Sequence, residues 1–193
     1  GLSIVVRRKF KIQTIEVVGR EVMVKFDERR IDSNLLFFPA VKVRNELLSE
    51  YPLLKDIQFH KKYPATLVIV AIPRDPIARL ELPDRGVLVD SEGVVLGLTS
   101  AEHEKLPLLQ LNIEHAQIGV ILTESQLLQS LGFLTHMKDM LLIESITMLD
   151  DKVLLVKADK LDIYVPQHED IIDKVDTLQT LIRGFRIKGI LPK

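Results

Sequence analysis

Apolar and polar positions alternate along "FKIQTIEVVG", residues 10 to 19, through Ile12, Ile15 and Val17, which predicts a first strand closed by Gly19. Residues 20 to 33 fit two readings: Val22, Val24 and Phe26 alternate as in a strand, whereas "DERRI" from Asp27 reads as a capped helical turn. Pro39 suits the first turn of a helix, and Ala40, Val43, Leu47 and Leu48 recur at helical spacing until Tyr51 and Pro52 end it. "DIQFHK" then sets Ile57 and Phe59 against Asp56, Gln58 and His60, as a half-exposed strand does. "TLVIVAI", residues 66 to 72, is apolar at nearly every position and belongs at the centre of a sheet. Strand, helical region, strand and strand make a small α+β unit whose last strand is inserted between the other two.

That central strand stops abruptly. Pro73 cannot donate to a ladder, and Pro76 fixes a second φ and biases Asp75 towards an extended form. The segment Pro73-Arg74-Asp75-Pro76 therefore reads as an interdomain joint. Beyond it, "RGVLVDSEGVVLG" has the pattern of a hairpin turning at Ser91-Glu92-Gly93. "LPLLQL" (106–111) and "QIGVIL" (117–122) read as further strand or extended segments. Thr123 and Gln126 have capping-box spacing before a helix with Leu127, Leu128, Leu131 and Leu134 on one face. Three strands follow, "LLIESITM", "KVLLVK" and "LDIYV", separated by turns at Asp150-Asp151 and Asp159. A second helix carries Ile171, Val175, Leu178 and Ile182, with Gly184 as its terminator, and "FRIKGIL" is expected to form a last strand before Pro192.

Composition narrows the possible functions. The chain has 193 residues, 47% of them apolar, enough for one large or two small packed domains. Its 26 basic and 27 acidic residues nearly cancel, and aromatics are only 5%, so neither a basic field nor stacking platforms argue for nucleic acid. There is no cysteine, which removes disulfides, thiol nucleophiles and thiolate metal sites together. No run of eighteen apolar residues occurs. The opening "GLSIVVRRKF" fits either the stump of a membrane anchor or an ordinary terminus.

Candidate chemistry is sparse. His60, His103, His115, His136 and His168 form no short-spaced ligand pair, and the glycines form no phosphate-cradling loop between strand and helix. No serine sits in a nucleophile-elbow context. These patterns predict a protein that is not an enzyme and takes no cofactor, metal or small-molecule substrate.

The order of local motifs resembles the FtsQ/DivIB family of bacterial cell-division proteins. Phe10, Ile12, Ile15, Val17 and Gly19 look like its first POTRA strand, and Asn34 with Leu35 to Phe38 like its N-L-F entry to the second helix. Tyr63, Pro64, Thr66 and Leu67 resemble its turn into the third strand; Arg74, Pro76, Ile77 and Ala78 resemble its exit. Leu88 to Gly93 look like its "LVDxxG" hairpin, and Leu106-Pro107 like its "LP" step. Pro73 replaces the family's usual glutamate, and its "DLR" sequence is absent before the end.

The resemblance implies an α+β architecture: a juxtamembrane segment (1–9), a POTRA domain with a three-stranded mixed sheet and helices (10–79), and a β-rich domain with two helices (80–193). It further implies a non-catalytic divisome scaffold, held in the cell membrane by a single anchor N-terminal to residue 1, with this region extracytoplasmic and binding FtsB/FtsL-like proteins. Strand addition to the terminal strand is the expected mode, which makes Arg183, Phe185, Arg186, Ile187, Lys188, Gly189 and Ile190 the candidate partner residues. Asp56, Gln58 and His60 form a secondary candidate face, and Pro73, Arg74, Asp75 and Pro76 the hinge. The alternative is a POTRA-type polypeptide-transport module of an outer-membrane assembly or secretion system.

Overall fold

The computed structural model describes residues 10–19, 34–150, 152–159, 161–166 and 171–187; of residues 171–175 and 185–187 it describes the backbone alone. The ambiguous segment 20–33 thus lies outside the described residues. The chain divides into two compact units, Gly1–Arg74 and Asp75–Lys193.

The first unit holds strand β1 (Thr14–Val18), helix α1 (Ala40–Glu50), β2 (Leu54–Lys62) and β3 (Thr66–Pro73). The sheet order is β1-β3-β2, with β1 parallel and β2 antiparallel to β3. β3 is central, as its apolar run predicts. Its Leu67, Ile69 and Ala71 share a core with Ile57 of β2, Val43 and Leu47 of α1, and Leu35 and Phe38 from the segment before the helix. The Phe38 and Phe59 rings meet edge-on at 5.0 Å between centroids, a favoured aromatic geometry. "NLLFF" folds as a short 3₁₀ turn, Leu35–Phe37, in which Asn34 Oδ1 accepts from the Leu36 N–H at 2.9 Å.

One ion pair ties α1 to β2. Arg44 donates to Asp56 Oδ1 from Nε at 2.7 Å and from a terminal nitrogen at 2.6 Å, and the same oxygen accepts from the Ile57 N–H at 2.8 Å. Burial alone would raise the Asp56 pKa. The hydrogen bonds from Arg44 and Ile57 and the positive charge of Arg44 outweigh it and hold the carboxyl below its ordinary value.

The second unit is built on β4 (Ala78–Glu81), β5 (Gly86–Val89), β6 (Val95–Leu98), β7 (Leu108–Gln110), α2 (Ser125–Met137), β8 (Ile143–Asp150), β9 (Val153–Ala158), β10 (Leu161–Pro166) and α3 (Ile171–Ile187). Its seven strands run in the order β10-β9-β8-β7-β4-β5-β6. β4, β7 and β8 are mutually parallel in the middle, and antiparallel strands flank them on both sides. One face carries Leu80, Val89, Leu109, Ile146, Leu154, Val156 and Val165, packed with Leu127, Leu131, Phe133, Leu134 and Met137 of α2 and Ile182 of α3. On the opposite face Thr147 donates to Gln110, and Gln110 donates to Glu81, a polar row across β8, β7 and β4. The architecture is α+β, a small mixed sheet with helical cover and a larger β-rich unit with two helices, as expected of a POTRA domain followed by a β domain.

The "LVDSEG" hairpin is closed by a clamp. Asp90 is buried, and its Oδ1 accepts from the Glu92 N–H at 2.9 Å and the Val94 N–H at 2.8 Å. Gly93 has φ +84°, and its carbonyl accepts from the Leu122 N–H at 2.9 Å. A Cβ on Gly93 would stand 2.7 Å from the Leu122 carbonyl oxygen. The backbone approaches there as closely as only glycine permits.

Four local expectations are corrected. "QIGVIL" forms no strand beyond a single bridge from Ile121 to Val94, because it is held by three bonds to the hairpin instead of by a ladder. The capping box at Thr123 does not form: α2 starts at Ser125 with Glu124 at its N-cap and no side-chain cap, since Leu122 is already tied to Gly93. Leu128 is 44% exposed, while Leu127, Leu131 and Leu134 are buried, so it flanks the apolar face. Lastly, α3 runs through Gly184 to Ile187, so Phe185, Arg186 and Ile187 are helical and not the start of a strand. In sequence, Phe185 falls three residues after Ile182 and prolongs the same apolar period. A glycine inside a helix costs about 1 kcal/mol, which the packing of Leu178 and Ile182 offsets. Residues 188–193, the rest of that expected strand, lie outside the described residues.

Two measurements check these interactions. Gly93→Ala should destabilise the chain by about 2 kcal/mol in urea unfolding, while Ser91→Ala in the same loop should leave the midpoint unchanged; equal midpoints for both would disprove the close approach. For Asp56, the folded-state pKa lies below the unfolded one, so its stabilisation is present above about pH 4 and is lost as pH falls through the folded value. Asp56→Asn should therefore melt below the wild-type chain near pH 7, and the gap should narrow as pH falls through the folded-state pKa. A gap that is constant with pH would assign the loss to packing instead.

Candidate partner interface

Asp56, Gln58 and His60 project from one face of β2, because side chains alternate along a strand and Ile57 and Phe59 take the other face. The register sets them opposite Ile72, Val70 and Val68 of β3, and on the far side of β3 lie Val18 and Glu16 of β1. The outer face of the small sheet is therefore an apolar middle row between mixed flanks. Gln58 and His60 are exposed, Asp56 is half-buried under its bond from Arg44, and Val18 is 52% exposed. Glu16 and Lys62 pair at 2.7 Å across the same sheet. The three residues foreseen from sequence thus do share one surface, and the apolar row beside them is the feature that sequence reading missed. Its signal was present in "TLVIVAI": a strand apolar on both sides must bury or expose its second side.

The proline segment begins inside the ladder. Pro73 is the last residue of β3, opposite Leu54, and Arg74 still bonds to the first unit, through its N–H to the Leu53 carbonyl at 3.1 Å and through Nε to the Pro52 carbonyl at 3.0 Å. Ile77 already bonds to Val89 of the second unit at 2.9 Å. Between them only Asp75 and Pro76 remain.

The two ends of the large sheet differ. At β6, Val95 donates to the Val120 carbonyl at 3.0 Å and accepts from the Gly119 N–H at 2.8 Å, so the outward groups of its first residue are taken by the segment 117–122. At β10, among the described residues, a strand lies on one side only. Its Leu161, Ile163 and Val165 share the parity of the core, whereas Asp162 and Tyr164 point to the other face, Tyr164 being 62% exposed. Arg183 is exposed on α3. Phe185, Arg186 and Ile187 continue that helix, and Lys188, Gly189 and Ile190 lie outside the described residues. The sequence therefore located a cationic helix end where it expected an edge strand, and it overlooked the edge at β10.

Among the described residues no group of three or more His, Asp or Glu side chains is placed to hold a metal ion, and no helix is long and apolar enough to cross a membrane. What the surfaces offer is main-chain pairing at a sheet edge and a mixed apolar and polar sheet face.

No protein-family model matches the chain. The cell division protein FtsQ of Novosphingobium aromaticivorans is 37% identical to it over 101 residues, which cover 50% of this chain and 31% of that relative. The aligned part is thus less than a third of the relative's length. The identity and the ordered motifs from Phe10 to Pro107, on a small mixed sheet followed by a β-rich unit, make about half of the chain similar to a cell division protein FtsQ.

Proposed function

We propose that this protein is a non-catalytic scaffold of the bacterial divisome, whose extracytoplasmic region binds FtsB/FtsL-like membrane proteins and helps coordinate septal wall synthesis. The observation that carries the reading is the 37% identity to an FtsQ. In this reading residues 10–79 are the POTRA domain, 80–193 the β domain, and a single membrane anchor precedes residue 1. Pro73, Arg74, Asp75 and Pro76 are the hinge: two fixed φ angles within four residues stiffen the passage from one domain to the next.

The partner binds by strand addition, and the side of β10 that no strand takes among the described residues supports this mode, since such a row of N–H and C=O groups is a ready template. The contact surface extends over the end of α3 and the residues after it: Arg183, Phe185, Arg186, Ile187, Lys188, Gly189 and Ile190. Its two arginines and one lysine suit an acidic partner segment, with Arg183 able to bind a carboxylate by two hydrogen bonds. The face around Asp56, Gln58 and His60 is a second protein-binding surface. No feature favours the polypeptide-transport alternative over this reading.

Co-purification with an FtsB-like protein tests it. Arg186→Glu and Tyr164→Ser should each weaken capture by about tenfold without moving the melting temperature, because both remove contacts and neither removes core. Unchanged capture in both, and in Lys188→Glu, would move the site to the Asp56–His60 face.

A further inference from the structure

The edge of the large sheet at β6 is covered only in part. Gly119 and Val120 meet Val95, but the chain just before them turns away: Val120 donates its N–H to the Gln117 carbonyl at 3.1 Å, and Gly119 within that turn has φ +85°. Further along, Thr99 donates its N–H to the Gly86 carbonyl of β5 at 3.0 Å. Because these groups alternate in direction along a strand, the N–H and C=O of Leu98 point away from β5. Among the described residues no strand lies on that side.

A cleft of about 320 Å³ opens where the segment parts from the strand, lined by Arg85, Val87, Leu98, Ala116, Gln117 and Ile118. Val87 and Ala116 are buried members of the core, whereas Leu98 and Ile118 are 57% and 56% exposed. Leu98 stands directly opposite Val87, so its side chain takes the helix-covered face of the sheet, yet neither helix lines the cleft. Arg85 is the one charged residue among the six. Its only hydrogen bond among the described residues runs from a terminal nitrogen to the Ala116 carbonyl at 3.0 Å. That bond holds the guanidinium at the cleft and leaves most of its five N–H donors for a ligand.

An outward-facing main chain, two exposed apolar walls and a planar cation thus meet at one place. An extended peptide with an apolar side chain and a carboxylate two positions away answers all three, since alternate residues share a face about 7 Å apart. A fatty acid would use the walls and the cation but leave the edge groups of Leu98 unanswered. We infer that this cleft binds such a peptide segment, its apolar residue between Leu98 and Ile118, its carboxylate on Arg85 and its main chain on Leu98. The inference concerns the opposite end of the sheet from β10 and does not rest on strand addition there: either can fail alone.

The probe is a dye-labelled peptide, Ser-Asp-Thr-Leu-Thr-Asp-Ser, blocked at both ends, which sets a carboxylate two positions from leucine in either chain direction. Its fluorescence anisotropy should rise saturably with the wild-type chain. Asparagine for both aspartates in the peptide, or Arg85→Gln in the chain, should each weaken binding by about tenfold. Alanine for the leucine should do the same, by about tenfold. The peptide changes probe these contacts without touching the fold. Tyr164→Ser, at the β10 edge, should bind as the wild type does, and bound peptide should slow hydrogen exchange of the Leu98 amide. No saturable rise below about 1 mM, equal binding of the asparagine peptide, unchanged exchange at Leu98 or a loss in Tyr164→Ser would each overturn the inference. Self-association that Arg85→Gln abolishes, without peptide binding, would give the cleft to a second copy and overturn it as well.

Discussion

A β-sheet has two ends, and at each end a row of backbone N–H and C=O groups has lost its partners; much of this molecule follows from how those rows are met. At β6 the chain doubles back, and residues 117–122 take the groups of Val95 and Gly93. That return is possible only because the hairpin before β6 is rigid. The buried Asp90 carboxylate gathers two loop N–H groups, and Gly93, in the left-handed region, turns its carbonyl towards Leu122. The same contact sets where α2 can start, and α2 supplies much of the apolar cover on that sheet. A short acidic loop therefore governs an edge, a helix boundary and a core. The "LVDxxG" pattern looks like a surface turn in sequence, yet its aspartate is among the few buried polar residues of the described chain.

Legibility followed from the locality of each cause. "TLVIVAI" announced a central strand because apolarity on both faces is a property of the strand itself, and β3 is central. α1 was equally clear, from Pro39 to Pro52, because helical spacing and its stops are both local signals. β4 was not foreseen: "ARLE" is short and close to Pro76, though Ala78 and Leu80 do alternate and are both fully buried. "QIGVIL" was misread because apolar residues predict burial or pairing without saying with what, and its partner, the hairpin, lies more than twenty residues away. α3 was cut short at Gly184 by reading a glycine as punctuation, when an uninterrupted apolar period from Ile171 to Phe185 argued for continuation.

The candidate site was partly legible for the same reason. The common face of Asp56, Gln58 and His60 follows from a period of two and nothing else. The β10 edge does not, because which strand ends a sheet depends on the order of all seven, and that order is not chain order. Family resemblance pointed to a terminal strand, and the described residues there are helical up to Ile187. The two lines of reasoning agree on the region and differ on the element.

Charge balance decides what kind of recognition such a surface can offer. With a net charge of −1 spread over 53 ionisable Lys, Arg, Asp and Glu residues (26 and 27), no long-range field steers a partner from a distance. Specificity must then come from contact: the register of a ladder, the side chains on alternate positions, and local charge such as the basic end of α3. Main-chain pairing alone is promiscuous, since every peptide carries the same donors and acceptors. Selectivity is supplied by the flanks, and at β10 those flanks are Asp162 and Tyr164 on one face and the apolar Leu161, Ile163 and Val165 on the other. An incoming strand that matched them would have to alternate as β10 does, with its own apolar positions on the helix-covered side. A one-residue slip would reverse its two faces, so any strand added at this edge would have to keep one register.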